Sequence, residues 1–156
     1  MNLKKLIFIT IFIPLFSCGY IAVNQDYLEN YQMTEVNVTG DSRVAFLLKN
    51  TFNSKKQNSS KSISISIETQ KNKTIKEKNV KNEIAKYEIT ITAKVEYYLI
   101  DKNKKGQFLV SKKENYEVSE KHHRVSLDRE KKIIKKLVNE IADDIRNNLQ
   151  LEINDL

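Results

Sequence analysis

The chain has 156 residues, 30% of them charged, and a formal net charge of +7. This length predicts a single domain, and a basic balance of this size is not by itself a nucleic-acid-binding signature. With three glycines, the sequence contains neither a glycine-rich phosphate-binding loop nor a nucleophile elbow. The two histidines have no third metal ligand placed by a characteristic spacing. We therefore expect no enzymatic activity, no cofactor or metal, and no nucleic-acid partner.

The N-terminus has the layout of a secretory signal peptide. Lys4 and Lys5 precede an apolar run over residues 6–16, which is too short to span a bilayer. The run ends in Leu15-Phe16-Ser17-Cys18, which resembles the lipobox of bacterial lipoproteins, although a smaller residue is usual where Phe16 stands. In that family the cysteine is acylated and becomes the first mature residue. The alternatives are an ordinary signal peptide and a buried apolar start.

Lipidation would decide both the anchoring and the chemistry of the mature chain. We expect residues 1–17 to be a lipoprotein signal peptide, residues 18–30 a lipid-anchored tether, and Cys18 the lipidated residue. Because Cys18 is the only cysteine, the domain over residues 31–156 would have neither thiol nor disulfide and must fold on its core alone. One acyl chain binds a membrane marginally, whereas the two or more of a mature lipoprotein anchor it stably.

The first half of the domain predicts a strand and a short helix. Residues 31–38 alternate in polarity and form a plausible strand whose buried face is undecided, and Gly40 ends it. Asp41-Ser42 offers a helix N-cap. The apolar residues behind it fall on one helix face: Val44, Leu47, Leu48 and Phe52. Phe46 lies off that face. We expect it to widen the buried stripe, with contact to a partner as the alternative.

Three further strands follow. Residues 62–70 alternate isoleucine with serine, and this strand can extend through Ile75. Residues 85–100 form a long alternating run, rich in β-branched and aromatic side chains, that predicts the central strand. A turn is expected over residues 101–106 and a fourth strand over residues 108–118. Lys112 and Glu114 interrupt the apolar face of that strand, which predicts a bulge or an exposed middle.

The sequence period then changes to that of a helix over residues 127–151. Its apolar stripe consists of Leu127, Ile134, Leu137, Val138, Ile141, Ile145 and Leu149. We expect this stripe to cover the apolar face of the central strand. The predicted fold class is therefore α+β, a small mixed four-stranded sheet with two helices packed on one face in the order β-α-β-β-β-α.

Two basic loops should meet at one end of this sheet. If the second and third strands form a hairpin, its turn carries Lys78 and Lys81 at the start of the central strand. The fourth strand runs antiparallel to the central one and ends at the same place, followed by Lys121 and Arg124. Converging cations suit a phosphorylated ligand. The alternative is that these side chains only keep the surface soluble.

Several segments resemble the LPS-assembly lipoprotein family LptE. Cys18-Gly19 with an aromatic Tyr20 resembles the start of the mature family members, although Ile21-Ala22 stand where Pro-Leu is frequent. The segments AKYEITITAKVEYYLID, NYEVSE and IADDIRNNL are similar to that family's third strand, fourth strand and C-terminal helix. The similarity is closest from Ala85 onward and rests on patterned positions.

The resemblance implies a function and a location. It implies a lipid-anchored protein of the outer membrane facing the periplasm, which plugs the LptD β-barrel, assists its assembly and helps deliver lipopolysaccharide to the cell surface. In that family basic residues in these two loops have been linked to lipopolysaccharide binding, and by position Lys78 or Lys81 and Lys121 or Arg124 are the nearest equivalents in this chain. The alternative is an auxiliary periplasmic lipoprotein of a lipid-transporting ABC system, or an activator of a cell-wall synthase.

Overall fold

The computed structural model describes residues 31–53, 61–119 and 123–154. The predicted signal peptide and tether, Cys18 and Lys121 lie outside these ranges. The described elements, in chain order, are β1 (Tyr31–Gly40), α1 (Ser42–Asn53), β2 (Lys61–Lys78), β3 (Ile84–Leu99), β4 (Lys104–Glu117) and α2 (His123–Asn154). The strands form one sheet in the order β1-β2-β3-β4. Since β1 runs parallel to β2 while the other neighbours are antiparallel, the predicted mixed sheet and element order are confirmed.

β3 is the central strand that the sequence pattern predicts. It pairs with β2 and β4 along nearly its whole length. Its apolar positions are all buried except Tyr87, which is half-buried: Tyr87, Ile89, Ile91, Ala93, Val95, Tyr97 and Leu99. They share one core with the apolar residues of both helices. The alternation therefore separates a helix-covered face of the sheet from a polar face that no described helix covers, here called the bare face.

A bulge decides which side of β1 is buried. Met33 pairs with Ile63 and Glu35 pairs with Ser64, so Thr34 is an extra residue in the ladder. Its hydroxyl donates to the Ile63 carbonyl oxygen over 3.3 Å. An extra residue shifts the alternation by one position. Tyr31 and Met33 before the bulge, and Val36 and Val38 after it, consequently all reach the core.

Of the two alternatives for the middle of β4, the bulge is wrong, and Lys112 and Glu114 are instead partly exposed. β4 pairs with β3 residue by residue without a register shift. Two polar side chains in the middle of its helix-facing side form ion pairs with side chains of α2. Lys112 lies 2.7 Å from Asp144, and Glu114 lies 2.7 Å from Lys136. Ion pairing with the neighbouring helix thus accommodates the polar break within a regular strand.

α1 begins as predicted, with Asp41 as its cap. The Asp41 carboxylate accepts the Val44 N–H over 3.1 Å and lies 3.0 Å from the Lys71 ammonium. Burial works to raise the pKa of Asp41, but these two contacts outweigh it and hold the pKa below its usual range. The expected widening of the buried stripe is wrong, because Phe46 is 65% exposed and none of the described elements packs over it.

α2 buries the predicted stripe with one exception. Six of its seven residues are buried: Ile134, Leu137, Val138, Ile141, Ile145 and Leu149. Leu127 is 42% exposed, and its neighbour Ser126 is buried instead. The Ser126 hydroxyl accepts the Ser119 N–H over 2.8 Å, so the first turn of the helix is oriented by a polar contact to the preceding connection. The apolar side chains of α2 reach the core about two turns later, from Ile133 onward.

The β2–β3 hairpin extends well beyond β1. Gly40 ends β1 opposite Thr69 with a φ of +100°, and the Asp41 N–H donates to the Thr69 carbonyl over 3.1 Å. A side chain at Gly40 would collide with that carbonyl, so the chain can turn here into α1 only with glycine. Residues 70–78 of β2 continue beyond β1, and among the described strands they pair with β3 alone.

Candidate functional site

The tip of the long hairpin carries two of the predicted site lysines. Asn79 organises the turn, because its side-chain oxygen accepts the N–H groups of Lys81 and Glu83 over 3.0 and 2.9 Å. Asn82 adopts the left-handed φ of 63° that asparagine tolerates in turns. The Lys78 ammonium donates to the Asn82 side chain over 3.0 Å. Lys78 and Lys81 are both exposed and open to a ligand.

The start of α2 lies at the same end of the sheet. Lys86, near the start of β3, pairs with Glu117 at the end of β4, and the Val118 N–H donates to the Ala85 carbonyl over 2.9 Å. Arg124 follows in the first turn of α2 and is exposed. The structure thus places Lys78, Lys81 and Arg124 at one end, here called the basic end. Among the described residues no hydrogen bond or ion pair joins these three side chains.

Three further cations, which the sequence analysis did not single out, extend the basic end. Lys86, Arg129 and Lys132 line an open groove of about 440 Å³ between the end of β4 and α2. Arg129 donates to the Glu117 carbonyl over 3.0 Å, and the Glu77 carboxylate 3.0 Å from Lys86 raises the pKa of that lysine. For Arg129 and Lys132 the signal was present in the sequence as the dense cations of residues 129–136, whereas the place of Lys86 follows from its pairing with Glu117.

The charge on α2 is strongly asymmetric. Residues 123–136 contain six Lys and Arg against two Asp and Glu, a net charge of +4. Residues 137–154 contain one Arg against four Asp and Glu, a net charge of −3. The dipole effect falls off within the first turn, where Arg124 stands at the positive N-terminus of the helix. A bound anion would relieve that unfavourable contact and be attracted by the positive half of the helix.

Exposed apolar side chains stand beside these cations. Ile75 lies near the end of β2 and Val80 at the hairpin tip, while Val125 and Leu127 lie in the first turns of α2. Val80 is fully exposed and Ile75 is 51% exposed. Cations beside exposed apolar side chains complement a molecule that is both anionic and apolar. A purely polar anion would need only the lysines and arginines.

A compact polar cluster braces this end on the helix-covered face. The Lys73 ammonium lies 2.7 Å from a Glu130 oxygen and 4.2 Å from the centre of the Tyr87 ring, and the Tyr116 hydroxyl donates to the same Glu130 oxygen over 2.8 Å. Burial works to raise the pKa of Glu130, but Lys73 and Tyr116 outweigh it and lower that pKa. The cluster therefore joins β2, β3 and β4 to α2 at this end of the sheet.

Two other kinds of feature are absent from the described residues. Within residues 31–53, 61–119 and 123–154, no group of three or more His, Cys, Asp or Glu side chains is placed to hold a metal ion. Neither helix in those ranges is long and apolar enough to cross a membrane. Among the described residues, the basic end remains the site with the clearest chemical character.

Comparison with solved structures finds this fold in bacterial lipoproteins. The crystal structure of the rare lipoprotein B from Shewanella oneidensis superposes with a TM-score of 0.58 at 12% identity, over 77% of this chain and 97% of the other. That of a candidate lipoprotein from Caulobacter crescentus superposes with a TM-score of 0.54 at 9% identity, over 83% and 95%. At these identities the likeness concerns the fold. The sequence matches no family model, and no curated protein matches it.

Proposed function

We propose that this protein is an outer-membrane lipoprotein, anchored through Cys18 and facing the periplasm, that plugs an LptD-type β-barrel. In that position it would assist assembly of the barrel and help deliver lipopolysaccharide to the cell surface. Two lines support the proposal: the resemblance of the segments from Ala85 onward to the LptE family, and a fold in common with rare lipoprotein B, which is a name for a member of that family.

The observation that carries the proposal is the chemistry of the basic end. Lipopolysaccharide combines phosphates with acyl chains, and the basic end combines exposed cations with exposed apolar side chains. Lys78, Lys81 and Arg124 would meet the phosphates, joined by Lys121 of the preceding connection. Val80 at the hairpin tip would meet the apolar part. Lys86, Arg129 and Lys132 would add to the positive potential that steers the ligand.

Charge reversal tests the ligand. Changing Lys78, Lys81, Lys121 and Arg124 to Glu should lower lipopolysaccharide binding by about tenfold or more, and the binding of the unaltered protein should weaken as salt rises. The matched control reverses Lys49, Lys102, Lys104 and Lys113, which gives the same net charge outside the basic end. Equal losses in the two variants would make the effect one of net charge, and binding indifferent to both would leave these cations as solubility residues.

Loss of the protein tests the partner. A plug is surrounded by its host, so the interface should exceed the standard size of about 1,600 Å² and consist of many modest contacts. Depletion should therefore lower the amount of folded barrel and of surface lipopolysaccharide, whereas single surface substitutions should not. If both stay normal while an ABC transporter or a cell-wall synthase loses activity, the barrel assignment is wrong and the auxiliary-lipoprotein alternative holds.

The anchor has its own test. Cys18→Ser should leave an unprocessed precursor, because acylation of the cysteine precedes cleavage in bacterial lipoproteins. Mass spectrometry of the mature N-terminus should find a diacylated or triacylated Cys18. A free thiol at Cys18, or cleavage at another residue, would contradict the lipoprotein anchor.

A further inference from the structure

A groove lies on the bare face of the sheet, at the end opposite the basic end. Two adjacent cross-strand rows form it: Ser64, Tyr98 and Lys105 in one, and Ser66, Glu96 and Gln107 in the other. Neighbouring rows on one face are about 7 Å apart, and three strands span about 10 Å. The groove has a volume of about 520 Å³, which is within the usual range of small-ligand sites.

The groove forms because its side chains differ in length. β2 contributes only serines here, whereas β3 contributes Glu96 and Tyr98 beside them. Short side chains next to long ones leave a depression whose floor is made of hydroxyl groups. Serine also suits a strand less well than the threonines that occupy the bare face elsewhere on β3. The depression therefore has no evident value for the stability of the sheet.

Tyr98 provides a fixed aromatic wall. It is half-buried, and its hydroxyl donates to the Asn103 side chain over 2.9 Å. Asn103 is itself held in the left-handed conformation, with a φ of 49°, so the tyrosine is anchored to the β3–β4 turn. The Lys105 ammonium lies 5.4 Å from the centre of this ring, so the part of the ring that it leaves uncovered presents an apolar surface to the groove.

The remaining lining supplies hydrogen-bonding groups together with two charged side chains, Glu96 and Lys105. Among the described residues, neither the Ser64 and Ser66 hydroxyls nor the Gln107 amide is engaged in a side-chain hydrogen bond, so each can serve a ligand. The Glu96 carboxylate lies 2.7 Å from the Lys94 ammonium, which lowers its pKa and keeps it an acceptor. One carboxylate is thus balanced by an adjacent ammonium, in contrast with the basic end.

We propose that this groove binds a saccharide, in the form of one or two uncharged pyranose rings. The apolar C–H face of one ring would stack on Tyr98, and the ring hydroxyls would bond to Ser64, Ser66, Glu96 and Gln107. The inference goes beyond the proposed function and stands without it. The same pyranose chemistry occurs in the core of lipopolysaccharide and in the N-acetylated glycan strands of the cell wall, so the experiment must separate the two sources.

Saturation-transfer NMR on the full-length protein in detergent micelles tests the proposal. The two probes are a dephosphorylated core oligosaccharide and chitotetraose, an N-acetylated pyranose chain. At least one should receive saturation at its ring C–H protons, and the stronger of the two signals identifies the source. Tyr98→Ala should weaken binding by about fivefold or more, whereas Tyr98→Phe, which keeps the ring, should stay within about twofold.

Further variants keep the result independent of folding. Ser66→Trp fills the groove from an exposed position and should abolish the signal while the unfolding temperature stays unchanged. Leu109→Ala, on the same face outside the groove, should leave the signal unchanged. Absence of transfer from both saccharides, or transfer that survives Ser66→Trp, overturns the proposal. A barrel complex lost with Ser66→Trp while neither saccharide binds would make the groove a protein contact instead.

Discussion

The two faces of the sheet have different roles. On the helix-covered face, β3 places its apolar side chains under α2, and residues such as Ile91 and Ile141 are fully buried. On the bare face the same strand carries glutamate, threonine and lysine, and even the apolar Leu109 of β4 is 66% exposed. Apolar burial is the dominant stabilising contribution to folding. Most of the stability should therefore come from the helix-covered face, whereas the bare face and the basic end should be free to bind ligands or partners.

The largest effect is expected where α2 meets β3. Ile141→Asp would bury an unpaired carboxylate in the core, which should lower the free energy of unfolding by about 3 kcal/mol or more. Asp143→Ala is the control two residues away, because its side chain is largely exposed and its one ion pair among the described residues is with Arg146 on the same helix. It should stay within about 0.5 kcal/mol. Equal losses in a denaturant titration would contradict the assigned stripe.

A smaller effect is expected at Gly106, where the helix-covered face is tightly packed. Tyr97 of β3 lies against the Gly106 Cα, and its hydroxyl donates to Glu152 of α2 over 2.8 Å. A methyl group at Gly106 would overlap the phenol ring. Gly106→Ala should therefore displace Tyr97 and cost about 2 kcal/mol in a thermal or denaturant melt. Gln107→Ala, on the opposite face, is the control and should be nearly neutral.

The phenol of Tyr97 also reports on this packing. Burial, together with the adjacent Glu152 carboxylate, raises the pKa of Tyr97 to about 12. In an absorbance titration the Gly106→Ala variant should show this tyrosine ionising closer to its ordinary pKa of about 10. An unchanged tyrosine titration together with unchanged stability would show that Tyr97 can move aside without losing its contacts.

The cluster beneath the basic end should contribute less, and its contribution should depend on pH. Glu130→Gln should cost about 1 kcal/mol at neutral pH, because a partly exposed ion pair contributes little. The folded pKa of Glu130 is lowered, so its stabilisation is present above the unfolded pKa of about 4.3 and is lost as the pH falls through the folded value. The difference between the two proteins should therefore shrink on acidification.

The matched control for this pH dependence is Glu140→Gln. Glu140 lies on the same helix, and its carboxylate makes a longer contact, 3.9 Å, with the Lys136 ammonium. Its side chain is also more exposed than that of Glu130. Its substitution should change stability little at any pH. If Glu130→Gln and Glu140→Gln gave the same profile, the Lys73–Glu130 contact would be no more than an ordinary surface pair.

The smallest effect is expected on the bare face itself. Leu109→Lys removes an exposed apolar side chain that packs under no helix, so the free energy of unfolding should change by less than about 0.5 kcal/mol. Solubility should rise slightly as the apolar patch is reduced. A destabilisation comparable to that of Gly106→Ala would show that the bare face is packed against another part of the chain.

The sequence by itself determined the elements that a simple period controls. The alternation over residues 85–100 identified β3 and its buried face, and the spacing of Ile134, Ile141 and Ile145 identified the stripe of α2. Both are long segments in which one period repeats many times, so single exceptions do not hide the pattern. The order of elements and the presence of basic loops at one sheet end followed from these assignments.

Only the tertiary structure decided the features that depend on distant parts of the chain. Because Thr34 is an extra residue in β1, odd-numbered side chains face the core before it and even-numbered side chains face the core after it. This change depends on the register of β1 with β2. Whether Lys112 lies in a bulge or pairs with Asp144 depends on where α2 lies. The membership of Lys86 in the basic end depends on the pairing of β3 with β4. A period read along the chain reports which side chains share a face, whereas partners across strands and helices are set by three-dimensional packing.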